Sequence, residues 1–271
     1  MIRQGLLVWI FLHATLPILL GQDYLFTSHS LPEEWHSARP GVICQDRDGL
    51  IWLGTREGVF RYDGTDFVHF PLNKEGNKAE NVTALFSASA DRLWIGYDDG
   101  RMGMLEGSGM GFIEEVEFVE GGLTASVTGF AEDGEGRLWI STYGQGVFVI
   151  HQGQMIHFDN GDGFPDNDVY CITADETGAI WLGTDNGLVH CAYDGSTKLT
   201  ERFSESDGLP DLIVKAVKHD RRGNLWIGTH DGGICRFSPS TRDWFVPEAS
   251  WEWGEITAIE EVGGQVWVGT A

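Results

Sequence analysis

The chain has 271 residues and a net charge of −23. Its 18 lysines and arginines are too few and too scattered to bind a phosphate backbone, so the composition argues against a nucleic-acid partner and predicts a solvated, acidic exterior. With 37 glycines, 12% aromatic residues and no amphipathic segment bounded by helix caps, the sequence is typical of a turn-rich, all-β chain.

The first 21 residues predict an export signal. A short basic opening precedes an apolar run, Leu6–Leu20, that three polar or proline residues interrupt. The run is shorter than the roughly 20 apolar residues of a membrane span. It therefore predicts a secretory signal peptide over residues 1–21, removed near Gly21. Leu19 is large for a cleavage site, which leaves an uncleaved anchor as the alternative.

Residues 22–271 contain six copies of one sequence unit, and each copy is centred on a tryptophan. The six are Trp52, Trp94, Trp139, Trp181, Trp226 and Trp267, at steps of 42, 45, 42, 45 and 41 residues. This period is typical of the four-stranded blades of a β-propeller. Because a single blade would leave both of its faces exposed to solvent, we expect the blades to stack and to bury the repeated tryptophans.

The fourth copy shows how a blade is built. Its strands are predicted at Val169–Ala174, Ile180–Thr184, Leu188–Tyr193 and Leu199–Phe203. Asp175 and Gly178 form the turn before the tryptophan, because an aspartate bonds its own backbone and a glycine accepts positive φ. The repeated aspartate is therefore predicted to be a turn former, and neither an acid catalyst nor a ligand.

The two ends of the repeat array do not match. Tyr24 to His29 aligns with the outer strand of a blade and is predicted to complete the last one. The sequence stops at Ala271, directly after the second strand of the sixth copy. We therefore expect a C-terminally incomplete propeller, with room for a seventh blade in the closed ring.

The repeat resembles a known family. Its consensus, Asp-x-x-Gly-x-Leu-Trp-Ile-Gly-Thr-x-x-Gly-Leu, is seen at Asp175–Leu188 and Asp46–Val59, and the blade opening Asp-Gly-Leu-Pro stands at 207–210 and, altered, at 162–165. These segments resemble the two-component regulator propeller repeat. The resemblance implies a periplasmic, ligand-sensing region of a bacterial sensor histidine kinase or hybrid two-component protein, often one that responds to carbohydrates.

The same resemblance implies that a further β-domain, a membrane helix and a kinase follow in the full-length receptor. Contact with the membrane would then occur only through that C-terminal region, and the full-length receptor could dimerise. Two other classes stay open. One is a propeller enzyme similar to the streptogramin lyases, and the other is a scaffold that binds a protein on its broad face.

No catalytic or metal-binding pattern stands out in the sequence. The four cysteines, Cys44, Cys171, Cys191 and Cys235, lack C-x-x-C spacing and are expected to be buried apolar side chains rather than disulfides. The nine histidines show no H-E-x-x-H motif, and no glycine-rich loop opens a helix. The prediction is a non-enzymatic domain without cofactor or metal.

Function is instead predicted on one face of the propeller. The loops leading into the inner strands and the turns between second and third strands emerge together around the central channel, which we call the loop face. The Asp-x-x-Gly turns emerge on the opposite, Asp-turn face.

Rings flanked by carboxylates and amides suit an oligosaccharide or another small ligand. The candidate ligand-binding residues are Trp35, His36, Arg56, Tyr143, Asp185, Asn186, His230, Asp231, Trp251 and Trp253. Trp251 and Trp253 could equally plug the gap between blades five and six.

Overall fold

A computed structural model describes residues 27–35, 38–72, 81–107, 113–116, 122–193, 198–248 and 250–271. The predicted signal peptide, 1–21, lies outside these ranges. Of the predicted outer strand Tyr24 to His29, only 27–29 are described, and they form no strand. The sixth sheet has only two strands, so it offers no third strand with which this segment could pair. Within the described ranges, no helix is long and apolar enough to cross a membrane.

The described residues form five four-stranded antiparallel sheets and one two-stranded sheet, which confirms the all-β propeller prediction. Each sheet is a meander in chain order. The first sheet comprises β1 (Val42–Gln45), β2 (Ile51–Thr55), β3 (Gly58–Tyr62) and β4 (Phe67–Phe70). The second comprises β5 (Val82–Ala88), β6 (Arg92–Tyr97), β7 (Met102–Glu106) and β8 (Glu114–Glu115). The third comprises β9 (Val127–Glu132), β10 (Leu138–Thr142), β11 (Val147–His151) and β12 (Gln154–Phe158).

The remaining three sheets continue the same order. The fourth comprises β13 (Val169–Ala174), β14 (Ile180–Thr184), β15 (Gly187–Tyr193) and β16 (Lys198–Phe203), each within one residue of its predicted bounds. The fifth comprises β17 (Val214–His219), β18 (Leu225–Thr229), β19 (Ile234–Ser238) and β20 (Asp243–Phe245), and the sixth comprises β21 (Ile256–Val262) and β22 (Gln265–Thr270). The helical segments that the structure describes are 3-10 turns of three or four residues.

The blades stack through their inner strands, each of which contacts the inner strand of the next blade. This contact explains the glycine of the Trp-x-Gly-Thr sequence. A Cβ added to Gly228 would lie 2.4 Å from Cγ2 of Ile256, the first residue of the next inner strand, and one added to Gly54 would lie equally close to Val82. The glycine is therefore required by close packing between blades.

The hydrophobic core is a series of layers between successive blades. Trp139 packs with Ile180 and Leu182 of the next blade, and Trp181 packs with Leu225 of the blade after that. Three of the six repeated tryptophans are buried and two are half-buried. The prediction that all six lie in the core is wrong for Trp267, which is 41% exposed. The two-stranded sixth sheet has no further blade against that side among the described residues.

The repeated aspartate has two functions at the Asp-turn face. Oδ1 of Asp175 accepts the backbone N–H of Thr177 at 2.8 Å and of Ala179 at 3.0 Å, which forms the turn as predicted. Its Oδ2 accepts the indole N–H of Trp181 at 3.0 Å. Equivalent bonds measure 2.7 Å for Trp52, 2.7 Å for Trp139 and 3.1 Å for Trp226. The aspartate thus also fixes the core tryptophan, a contact that the sequence did not suggest.

The same contacts set the charge state of these aspartates. Burial would raise the pKa of the Asp175 carboxyl, but hydrogen bonds from Thr177, Trp181 and Ala179 outweigh it and hold that pKa below its usual value. The pKa values of Asp133 and Asp220 are lowered in the same way. The turn carboxylates are therefore ionised in the folded protein at neutral pH.

The four cysteines are free, and Cys44 and Cys171 are only partly buried. Cys191 and Cys235 are fully buried. Burial raises the pKa of the Cys171 and Cys235 thiols to about 12, so neither is a reactive thiolate at neutral pH.

Candidate functional site

Backbone hydrogen bonds tie the loop face together across blade boundaries. The turn between β14 and β15 is anchored on the loop that leads into the fifth blade, since Gly187 N donates to Leu212 O at 2.9 Å. One blade earlier, Gly146 N donates to Asn167 O, also at 2.9 Å. The turns of blades three and four are therefore held by the next blade, which makes this part of the face a fixed platform for side chains.

On this platform, seven side chains from blades three to six form what we call the loop-face cluster: Tyr143, Asp168, Tyr170, Asp185, Lys215, His230 and Glu255. Its centre is Tyr170. The Tyr170 hydroxyl donates to Asp185 Oδ1 at 2.8 Å, and its ring centroid lies 5.6 Å from that of Tyr143. The ammonium of Lys215 lies 3.5 Å from the centroid of the Tyr170 ring. The cluster thus joins aromatic faces to charges of both signs.

The cluster continues into the fifth and sixth blades. Lys215 Nζ lies 3.5 Å from Glu255 Oε1, and Glu255 Oε2 lies 3.6 Å from His230 Nδ1. The other ring nitrogen of His230, Nε2, lies 3.9 Å from Asp231 Oδ1. A single glutamate therefore contacts both Lys215 and His230, and the chain of contacts runs without interruption from Tyr143 to Asp231.

Two groups in the cluster have shifted pKa values. Burial, followed by the hydrogen bond and charge of Asp185, raises the pKa of the Tyr170 phenol, so it is a hydrogen-bond donor at all physiological pH values. Burial, followed by the carboxylates of Asp166 and Asp185, raises the pKa of Asp168. The two neighbouring carboxylates thus disfavour the charged form of Asp168.

Tyr170 and Lys215 occupy the same position in their blades. The strand register shifts between Val169 and Cys171 and between Val214 and Ala216, so each is the unpaired residue of a β-bulge at the loop-face end of its inner strand. Threonine takes this bulge position in blades two, three and six, at Thr83, Thr128 and Thr257.

Two of the threonines at the bulge donate hydrogen bonds within the fold, Thr128 Oγ1 to Val169 O at 2.7 Å and Thr83 Oγ1 to Gly96 O at 3.2 Å. The large polar side chains of blades four and five are the exceptions. Sequence reasoning missed Asp168, Tyr170, Lys215 and Glu255. Comparing the bulge position between repeats would have found Tyr170 and Lys215.

Of the ten predicted ligand-binding residues, the structure brings four together: Tyr143, Asp185, His230 and Asp231. Asn186 lies beside them, and its side-chain amide is bonded to the backbone oxygen of Pro165 at 3.3 Å and to Arg202. These five occupy the loop face of blades three, four and five, as predicted.

The other predicted residues are not part of the cluster. Trp35 packs its ring 5.3 Å from Phe60 and 4.5 Å from His69, so a packing reason explains it. Arg56 is exposed on the corresponding turn of blade one. Trp253 is 45% exposed in the 3-10 turn Ser250–Trp253 that leads into blade six. His36 and the side chain of Trp251 lie outside the described residues.

A metal site is not built from the residues that the structure describes. Within them, no group of three or more histidine, cysteine, aspartate or glutamate side chains is arranged to hold an ion. The acidic residues of the loop face are dispersed around the tyrosines.

The structure is thus a β-propeller with two different faces. The Asp-turn face repeats one turn in most blades, and the loop face carries side chains that differ between blades. Residues 37–57, 121–144, 163–186 and 208–231 match the family model described as Two component regulator propeller. These four segments are similar to two-component regulator propeller repeats. The second and sixth blades, which depart most from the consensus, are not among the matched segments.

Solved structures confirm the fold. The extracellular domain of the hybrid two component system BT3049 from B. thetaiotaomicron is 23% identical with a TM-score of 0.74, over 84% of this chain and 32% of that one. The corresponding domain of BT4673 from the same organism is 22% identical with a TM-score of 0.68, over 86% and 31%. The chain thus spans about a third of the length of these proteins.

Virginiamycin B lyase from Staphylococcus aureus shares the architecture at 15% identity, with a TM-score of 0.65 over 84% of this chain and 76% of the lyase. At such identities the likeness concerns the fold alone. A comparison with curated proteins gave no match.

Proposed function

We propose that this propeller is the exported, ligand-sensing domain of a two-component receptor, and that it binds a small molecule or oligosaccharide on its loop face without transforming it. In this proposal residues 1–21 direct export to the periplasm and residues 22–271 form the sensor. The similarity of this fold to the extracellular domains of the two-component systems BT3049 and BT4673 supports this placement.

The observation that carries the proposal is the loop-face cluster itself. Threonine takes the bulge position of the inner strand in three blades. Tyr170 and Lys215 replace it in adjacent blades and meet Tyr143, a ring that is 51% exposed. Exposed rings and convergent polar groups on a rigid scaffold are the usual composition of a ligand site.

The test is an array of glycans and small metabolites probed with the purified protein, followed by calorimetry of each hit. We expect at least one hit, and Tyr143→Ala should weaken its binding about tenfold or more, because an exposed ring contributes contact area that a methyl group lacks. Arg56→Ala is the matched control, since it alters the equivalent turn of blade one outside the cluster.

Two results would contradict the proposal. One is an array without any hit. The other is a hit whose affinity is unchanged by Tyr143→Ala but lowered by Arg56→Ala, since the site would then lie on the other half of the loop face.

A lyase-type activity is the second candidate, and a specific observation favours it. His230 stands between two carboxylates, at 3.6 Å from Glu255 and 3.9 Å from Asp231, and an imidazole paired with a carboxylate can act as a general base. Incubating each array hit with the protein and following it by mass spectrometry separates the two functions. An altered product that disappears with His230→Ala would establish an enzyme, and an unaltered ligand supports the sensor.

A further inference from the structure

We propose that the loop-face cluster receives a protonated amine of its ligand, held between the ring of Tyr143 and the carboxylate of Asp168. The inference rests on the proposed function, because it names the chemical class of ligand bound at that same site. It excludes uronic acids and other anionic saccharides as the preferred ligands.

The ring of Tyr143 is available to a ligand. It is 51% exposed, yet its backbone is fixed, because Tyr143 N donates to Ser126 O at 3.0 Å. Tyr170 lies beside it, with the ring centroids 5.6 Å apart and the ring planes inclined at 46°, and half of Tyr143 stays exposed. An aromatic face attracts a cation that approaches within about 6 Å of its centroid.

A carboxylate stands next to this ring. Tyr143 and Asp168 form an isolated antiparallel bridge, and directly opposed residues in such a pair hold their Cβ atoms about 5 Å apart. In the part of the chain that the structure describes, no N–H or O–H group donates to the Asp168 carboxylate. Burial and the carboxylates of Asp166 and Asp185 raise its pKa, which a bound cation would reverse. The position thus lacks a positive partner.

The neighbouring blade already shows this mode of binding. The ammonium of Lys215 lies 3.5 Å from the Tyr170 ring centroid and 3.5 Å from Glu255. A tyrosine ring and a carboxylate there hold an amine supplied by the protein itself. Tyr143 and Asp168 present the same two groups, an aromatic ring and a carboxylate, with no lysine between them. We therefore expect this second pair to bind an amine that the ligand supplies.

Charge on the surrounding loops opposes an anionic ligand. Lys215 is balanced by Glu255 and Arg202 is hydrogen-bonded to Asn186, whereas the acidic side chains described in and beside the cluster include Asp166, Asp185, Asp211 and Asp231. A ligand carboxylate or sulfate would meet these charges across a short distance, whereas an ammonium group would be attracted by them.

The test uses three matched trisaccharides: one of glucosamine with free amines, its fully N-acetylated form, and one of galacturonic acid. Calorimetry is performed on the whole chain at a pH where the free amines are protonated. We expect the free-amine form to bind at least about tenfold more tightly than the acetylated form, and the acidic form to bind more weakly than either.

Two variants locate the effect. Asp168→Asn should abolish the preference for the amine, since it keeps the shape of the side chain and removes its charge. Asp98→Asn removes an equal charge from the loop face of blade two, where Asp98 accepts a hydrogen bond from Asn81 at 2.6 Å, and should leave the preference intact.

Equal affinity for the free-amine and acetylated forms, or no detectable binding of the free-amine form, would overturn the inference. So would a preference that Asp98→Asn abolishes and Asp168→Asn preserves. These failures differ from failure of the proposed function. A neutral or acidic array hit that depends on Tyr143 would sustain the sensor and reject the amine, whereas an array with no hits would reject the sensor.

Discussion

The two faces of this propeller differ in how strongly their residues repeat from blade to blade. On the Asp-turn face, four of the six blades repeat the same aspartate, the same turn and the same bond to the core tryptophan. On the loop face, the position at the inner-strand bulge changes from threonine to tyrosine to lysine. Residues that recur at the same position in most blades therefore serve the fold. Residues that differ at such a position in adjacent blades are the candidates for ligand binding.

Blades that lack the aspartate show what it contributes. Ala88 takes its place in blade two, where the turn contains Ala90 and Asp91 at positive φ and Trp94 is only half-buried. In blade four, by contrast, Gly178 supplies the positive φ and Trp181 is buried. Trp226 in blade five keeps the aspartate and is half-buried all the same, so the aspartate fixes the turn and the indole N–H but does not by itself decide how deeply the tryptophan is buried.

The largest effect that separates the two faces is expected from Trp181→Ala. Trp181 is buried between blades four and five, and its deletion leaves a cavity, so the free energy of unfolding should fall by about 3–5 kcal/mol. Denaturant unfolding followed by circular dichroism measures the change. A loss of less than about 1 kcal/mol would mean that the blades do not depend on their central tryptophan.

Asp175→Asn should come next, with a loss of about 1–3 kcal/mol at neutral pH. An asparagine oxygen can accept some of the bonds but without charge, and its amide cannot accept the indole N–H. Asp48→Asn is the matched control, because Asp48 is an exposed carboxylate on a turn of the same type. Equal losses in both variants would assign the effect to net charge.

The turn aspartates also predict the response to acid. Their folded-state pKa values lie below the ordinary value of 3.8, so their contribution is complete above that pH and is lost as pH falls through the lower, folded values. Unfolding free energy measured from pH 6 downward should therefore drop steeply only below about pH 4. The drop should be smaller in Asp175→Asn, and an identical profile in the two proteins would contradict the mechanism.

Tyr170→Phe should have a small effect on stability and a larger one on binding. It removes the hydroxyl bonded to Asp185 but keeps the ring beneath Lys215, so the expected loss of unfolding free energy is about 0.5–1.5 kcal/mol. Affinity for an array hit should fall several-fold, because Asp185 loses the donor that orients it. Calorimetry and a thermal melt on the same sample measure both quantities. Unchanged affinity would place Tyr170 outside the site.

The smallest change in stability is expected from Trp253→Ala. This side chain is 45% exposed, so its removal should alter the unfolding free energy by less than about 0.5 kcal/mol. A loss comparable to that of Trp181→Ala would show that Trp253 plugs the gap between blades five and six.

The fold could be predicted from the sequence because the strand, turn and tryptophan positions recur at a nearly constant spacing along the chain. The spacing of the tryptophans gave the blades, and the strands of blade four were placed to within one residue. The two misses have local causes. Among the residues that the structure describes, Trp267 lies on a sheet of two strands without a covering blade, and residues 27–29 pair with no strand.

The site was only partly predictable, because its geometry depends on contacts between blades. Tyr143 and Asp185 could be placed on the loop face from the turn in which each lies, but nothing local indicates that Tyr170 joins them. Exposed aromatic residues also misled the prediction at Trp35, whose ring packs against Phe60. Whether a ring binds a ligand or packs depends on its neighbours in space, which a single repeat does not reveal.

The most direct test of the division between the faces is a paired measurement of unfolding free energy and ligand affinity for Tyr143→Ala. We predict a stability change below about 1 kcal/mol, because the ring is half exposed, together with a loss of binding of about tenfold or more. A variant that unfolds as readily as Trp181→Ala while its folded fraction binds with unchanged affinity would contradict the account.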